Sequence, residues 1–183
     1  FSTTVMAGFF PIFFQQYWST ASEVTVSTWY LGLANSIASI TVASLAPFLG
    51  AIADKASVKK RLLIFFAFIG IISTGSLSMI GQGHWRLAAL FSLVASIGFM
   101  SANIFYDSLL PSVASKQKRD FVSSLGYSLG YIGGGILFLI NVAMYLQPQF
   151  FGIADAPSAI KLSFLTVAFW WAIFTLPILI FVE

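Results

Sequence analysis

The chain has 183 residues, 58% hydrophobic and only 8% charged, with a formal net charge of +3 and a mean hydropathy of +0.92. Long apolar runs recur from end to end, which excludes a soluble domain built around one core and points to an integral membrane protein. The nine Lys and Arg residues are divided among short connections, a distribution that topology explains and nucleic-acid binding does not; without cysteine, and with His84 as the single histidine, no metal or other cofactor site is expected.

The first run, Phe1 to Tyr17, is shorter than the roughly 20 residues a spanning helix needs, so its beginning is expected upstream of Phe1. Pro11 lies inside it, where neighbouring helices can satisfy a freed carbonyl. Gln15, Gln16, Tyr17 and Trp18 bring it to an interface. The second run, Thr28 to Ala53, carries Gly32, Ser36, Ser39, Ala43, Ala46, Gly50 and Ala53 at alternating spacings of four and three. That spacing puts the small residues on one helix face, the pattern that lets a second backbone approach closely in a membrane. Asn35 in this run reads as structural.

Gly50 to Arg61 is the densest charge cluster in the chain. Charged side chains in hydrocarbon cost roughly 3 kcal/mol or more each, so this stretch reads as a hairpin at the membrane surface. Further spans are expected at Leu62 to Ile80, Leu87 to Leu110, Phe121 to Leu146 and Ile160 to Val182. The connections between the six runs carry, in order, no cation, four, one (Arg86), three (Lys116, Lys118, Arg119) and one (Lys161). The even connections are therefore cytoplasmic, and both chain ends lie on that side. Six spans in two triplets of opposite orientation predict an all-α membrane protein with a 3+3 inverted repeat, half of a twelve-helix transporter.

Asp107 is the acid placed inside an apolar run, with Tyr106 beside it and Asn103 one turn before it. Such a residue is a functional candidate by default. It could couple transport to protons, contact a substrate amine, or pair with the basic hairpin. Its distance from Pro111, about four residues or ~6 Å, favours the last as a cytoplasmic latch with Lys55 or Arg61. Asn103 and Tyr106 are candidates for lining a cavity. Gly126, Gly130 and Gly134, with Gly133 and Gly135, form overlapping GxxxG spacings that suit close helix packing; no strand precedes them and no GK(S/T) follows, which excludes a phosphate loop. The aromatic residues read mainly as lipid-facing bulk, with Trp18, Trp29, Trp85 and Tyr145 at interfacial positions.

Gly50, Asp54, Lys55, Lys59, Lys60 and Arg61 resemble the GxxxD(R/K)xGRR(K/R) signature between the second and third helices of the major facilitator superfamily. Ser57 stands where that signature has glycine, and Lys55 replaces the commoner arginine. The resemblance implies that this stretch latches two six-helix halves together when the cytoplasmic side is closed, with lysine acting there as a point charge rather than a bidentate fork. The runs FFPIFFQQYW, APFLGAIADK, NIFYDSLLP, GYSLGYIGGG and FWWAIFTLP, in that order, further resemble the autophagy-associated vacuolar amino-acid effluxers and their bacterial relatives. That resemblance implies a secondary transporter moving a small solute, amino acids among the candidates. Its partners would be the bilayer, a C-terminal six-helix half and protons as a candidate coupling ion. It would reside in the cell membrane of a bacterium or the vacuolar membrane of a eukaryote. A non-transporting six-helix scaffold or sensor is the alternative. With no paired catalytic acids and no GxSxG elbow, an enzyme is not expected.

Overall fold

The computed structural model describes residues 5, 8–19, 24–53 and 56–182. Among these all regular structure is helical. A short segment, α1 (Phe10–Phe13), leads into a π-helical turn, Phe14–Trp18; then come α2 (Val24–Ala53), α3 (Ala56–Ser76), α4 (Trp85–Val113), α5 (Arg119–Leu146) and α6 (Ala156–Phe181). Helices α2 to α6 are each long and apolar enough to cross a membrane. The five long elements fall on the five later runs read from the sequence. The first run supplies, within the described residues, only the short segment and its π turn.

Boundaries differ where local chemistry extends a helix. Lys59, Lys60 and Arg61 were expected in a surface loop, yet α3 begins at Ala56 and all three cations are helical. Pro111 was expected to end the fourth span, but α4 runs on to Val113; a proline near a C-terminus removes one amide donor without stopping the last turn. Helix α6 starts at Ala156 rather than Ile160, because Asp155 caps it by accepting a hydrogen bond from the Ser158 amide (2.8 Å), with Pro157 in the first turn.

Two clusters hold the bundle. At the end opposite Lys59, Lys60 and Arg61, Phe9, Phe10, Phe13, Phe14 and Trp18 of the first segment insert among Leu77, Ala88, Leu137, Phe164 and Val167. Trp18 is fully buried, stacks on Phe164 (ring centroids 5.8 Å apart) and donates its indole N–H to the Ile80 carbonyl (3.4 Å). It was expected in an interfacial belt. The π turn, closed by Ser19 N–H on the Phe14 carbonyl (2.7 Å), gives it this inward setting. At the other end Leu49, Leu63, Phe105 and Leu109 form a second cluster.

Between the clusters, α3, α4 and α6 meet at two glycines. A Cβ on Gly98 would lie 2.8 Å from both the Gly70 nitrogen and the Phe66 carbonyl, so α3 and α4 touch backbone to backbone. A Cβ on Gly70 would in turn meet the Trp171 indole, with Cζ3 at 2.7 Å. Trp171 thus occupies the notch that Gly70 leaves, braced edge-on by Phe99 (5.9 Å). This is the small-residue packing expected of membrane helices, at glycines other than those the spacing pattern picked out. On α2 the expected packing face is turned outward: Gly32, Ser36, Ser39 and Ala43 are exposed, while Ala38, Val42 and Leu49 face inward.

Candidate functional site

The face of α4 that carries Phe99, Tyr106 and Asp107 looks across to α5, and α6 closes the third side. Between them runs an open groove of about 480 Å³. Its aromatic side is made by Phe99, Tyr106, Trp170, Trp171 and Phe174, and its opposite wall by Gly126, Gly130, Gly133 and Gly134. The glycines were expected to pack or slide against the missing half; within this chain, a Cβ on Gly130 would meet nothing within 4 Å, and one on Gly126 would meet the Tyr106 hydroxyl at 3.2 Å. Their missing side chains are what leave the groove open.

Tyr106 also borders a second, smaller pocket of about 100 Å³ nearer the basic end, lined by Asp107, Leu109, Val113, Val122, Tyr127 and Ile178 among others. Here the Tyr127 hydroxyl donates to Asp107 Oδ1 at 3.1 Å. Asp107 is exposed, and among the described residues lining groove and pocket it is the one formal charge. Asn103 is exposed too, and lines a third space of about 120 Å³ with Tyr106, Trp171 and Phe174. Asn103, Tyr106 and Asp107 therefore converge on adjoining cavities that share Tyr106.

The cations of α3 are engaged elsewhere. Lys59 Nζ donates to the Ser108 carbonyl of α4 (3.1 Å), and Lys60 Nζ donates to the Leu179 carbonyl (2.9 Å) and to that of Val182, at the end of α6. The Lys60 ammonium thus sits at the C-terminal, partially negative end of α6, where last-turn carbonyls lack intrahelical partners, while Lys59 bonds to a carbonyl in the penultimate turn of α4. Arg61 is exposed. Gly50 is half-buried, with nothing within 4 Å of an added Cβ. Asp54 and Lys55 lie outside the described residues, so the expected pairing of Asp107 with Lys55 falls there too; among the described residues Asp107 is bonded to Tyr127, not to Arg61.

Several residues that shape this region were not singled out from the sequence. Tyr127 was hidden in the glycine run, although a hydroxyl inside an apolar span is itself a signal. Trp170 and Trp171 stood only within the FWWAIFTLP run; both line the groove, and Trp171 also locks α6 to α3. Asn141 of α5 is fully buried beyond the far end of the groove; its Oδ1 accepts from Thr166 (3.0 Å), while Nδ2 has no hydrogen-bond partner among the described residues.

The family model described as "Vacuole effluxer Atg22 like" matches residues 15–183. Among curated proteins, the chain is 40% identical to one named uncharacterized MFS-type transporter YxiO from Bacillus subtilis, over 98% of this chain and 42% of that protein. It is 23% identical to autophagy-related protein 22 of Eremothecium gossypii, over 92% of this chain and 34% of that one, so it spans less than half the length of either relative. No solved structure matches. The family model covers nearly the whole of the chain, from the end of the aromatic first segment through the glycine wall and Trp171: the chain belongs to the Atg22-like vacuole effluxer family.

Proposed function

We propose that this chain is the N-terminal six-span half of a secondary transporter, a 3+3 inverted repeat that moves a small solute by alternating access against a C-terminal half. The observation that carries the reading is the groove of about 480 Å³ sunk between three apolar helices, walled by glycines and aromatics, with a carboxylate at one end. A membrane scaffold needs helix packing but has no use for a glycine wall that leaves space unfilled. The name of one relative, an MFS-type transporter, and the description of the matching family, a vacuole effluxer, agree with it.

In this reading the basic end is cytoplasmic, and the α2–α3 connection with Gly50, Asp54, Lys55 and Arg61 latches onto the other half. Lys59 and Lys60 hold α4 and α6 within this half. The exposed small-residue face of α2 meets the C-terminal half, and the glycine wall of α5 borders the same seam along the open groove. Amino acids, which the family resemblance implies, are the first substrates to test, with protons as the coupling ion. The test is flux of a radiolabelled amino-acid panel through proteoliposomes of the full-length protein, with and without a proton gradient. Saturable flux that Gly130→Leu abolishes supports the proposal. Absence of flux for every solute, in protein that elutes as a single folded species, would overturn it in favour of a scaffold or sensor.

A further inference from the structure

Resting on the transporter reading, we infer that the groove and the pocket beside it recognise an organic ammonium with an apolar body, and that this half of the protein does not read a carboxylate. Charge is the first reason. Asp107 is the one formal charge among the described residues that line these spaces, and it lies in an otherwise apolar helix face where an unpaired carboxylate is expensive. Tyr127 supplies it with one hydrogen bond and no positive charge. The nearby Lys59 is turned to the Ser108 carbonyl on the adjacent residue of α4. An ammonium docked on Asp107 would supply a cation that the described residues do not, with charge-assisted hydrogen bonds.

Size is the second reason. The pocket of about 100 Å³ beside Asp107 is the smaller of the two spaces and admits an ammonium head. The body then extends past Tyr106 into the larger groove, whose 480 Å³ admits a phenyl ring or branched alkyl group. There the solute lies between the rings of Tyr106, Trp170 and Phe174 and the glycine wall. Aromatic faces attract a cation and suit a flat or apolar body. The described lining offers a carboxylate group no Lys, Arg or His. The ligand class is therefore a monocationic amine; an amino acid would be held through its ammonium and side chain alone.

The experiment compares binding of phenethylamine with that of L-phenylalanine, which differ by the carboxylate, to the full-length protein in detergent by isothermal titration calorimetry. Phenethylamine should bind at least as tightly as L-phenylalanine. Asp107→Asn should weaken it about tenfold or more, and Trp170→Ala by about three- to tenfold, whereas Asp107→Glu retains binding. Retention in Asp107→Glu separates loss of charge from loss of fold. Binding of L-phenylalanine without phenethylamine would overturn the inference while leaving the transporter reading intact, because it would require a carboxylate-reading group. Phenethylamine binding unchanged in Asp107→Asn, or no binding of either probe to a protein that transports other solutes, would overturn it as well. Loss of the transporter reading itself shows separately, as absence of flux for every solute.

Discussion

Gly98→Ala tests the packing on which the groove stands. Its Cβ would be placed 2.8 Å from Gly70 N, 2.8 Å from Phe66 O and 2.9 Å from Gly70 Cα. Carbon atoms pack best at about 3.5–4.0 Å, so α3 and α4 must part by roughly 0.7 Å, and a gap of that size forfeits about a quarter to a half of each contact's dispersion energy along the interface. No side-chain rotation relieves it, because all three obstacles are backbone. Overpacking costs about 1–3 kcal/mol, and the upper part of that range applies here. Replacing a mid-helix glycine by alanine returns about 1 kcal/mol of helix propensity, leaving a net loss of about 1–2 kcal/mol. Gly130→Ala receives the same propensity gain with nothing within 4 Å of the new Cβ, so it should be neutral or stabilising. The two alanine variants should differ by about 2–3 kcal/mol, or ~5–10 °C in thermal unfolding of the detergent-purified protein. Variants melting within about 1 °C of each other would refute backbone contact at Gly98.

Gly70→Ala meets a side chain instead of backbone, so its cost of about 1–3 kcal/mol should be partly relieved in the Gly70→Ala, Trp171→Leu double variant. A double-mutant cycle of thermal stabilities should give a favourable coupling, and strict additivity would argue against the notch. Lys60→Met removes an ammonium from the carbonyl end of α6 and should cost about 1 kcal/mol after allowance for solvent, whereas Arg61→Met should leave melting unchanged. Asn141→Leu removes a buried Nδ2 that has no partner among the described residues, and Thr166 keeps the Ser163 carbonyl at 2.9 Å; the variant should be neutral or about 1 kcal/mol more stable, and a large loss would mean the amide serves a ligand. Hydrogen bonds from the Ser158 side chain and then its backbone amide hold the Asp155 carboxyl below its ordinary range. A lowered folded-state value means that the cap's contribution is complete above the unfolded value of about 3.9 and is lost as pH falls through the folded one. Melting followed from pH 6 to pH 3 should show this acid-side loss at about pH 4 and below in the wild type and not in Asp155→Asn.

The five long helices were legible because apolar length is a property of composition, and a run of twenty or more such residues has one stable form in a bilayer. Their ends were less legible because caps act locally: Asp155 with Pro157 starts α6 four residues before the apolar run becomes continuous. Asn103, Tyr106 and Asp107 stood out as polar or ionisable groups in an apolar span, and the structure sets all three against adjoining cavities. The partner of Asp107 was not legible, since Tyr127 lies on another helix and only three-dimensional packing brings it within 3.1 Å. Trp18 misled for a physical reason: tryptophan at a helix end reads as interfacial, but the π turn and the notch beside Phe164 bury it completely. The spacing of the α5 glycines pointed to contact with the other half, and within this chain they border the groove. A GxxxG pattern says that a face is flat, not what lies against it.

Glycine consequently does opposite things on two sides of α4. Toward α3, Gly98 and Gly70 remove side chains so that backbones meet, and the space is filled by helix and by the Trp171 indole. Toward α5, Gly126, Gly130, Gly133 and Gly134 remove side chains where no backbone follows, because α5 is attached mainly through α6 and stands off from the middle of α4. The first arrangement fixes α3, α4 and α6 as one rigid unit. The second leaves a groove whose aromatic wall belongs to that unit and whose glycine wall does not. Bulk added at Gly98 must therefore deform the unit, while bulk added at Gly130 enters empty space and fills the groove without loosening the helices. Under the transporter proposal, stability and solute binding in this half are set by different glycines, so substitutions should change the two properties independently.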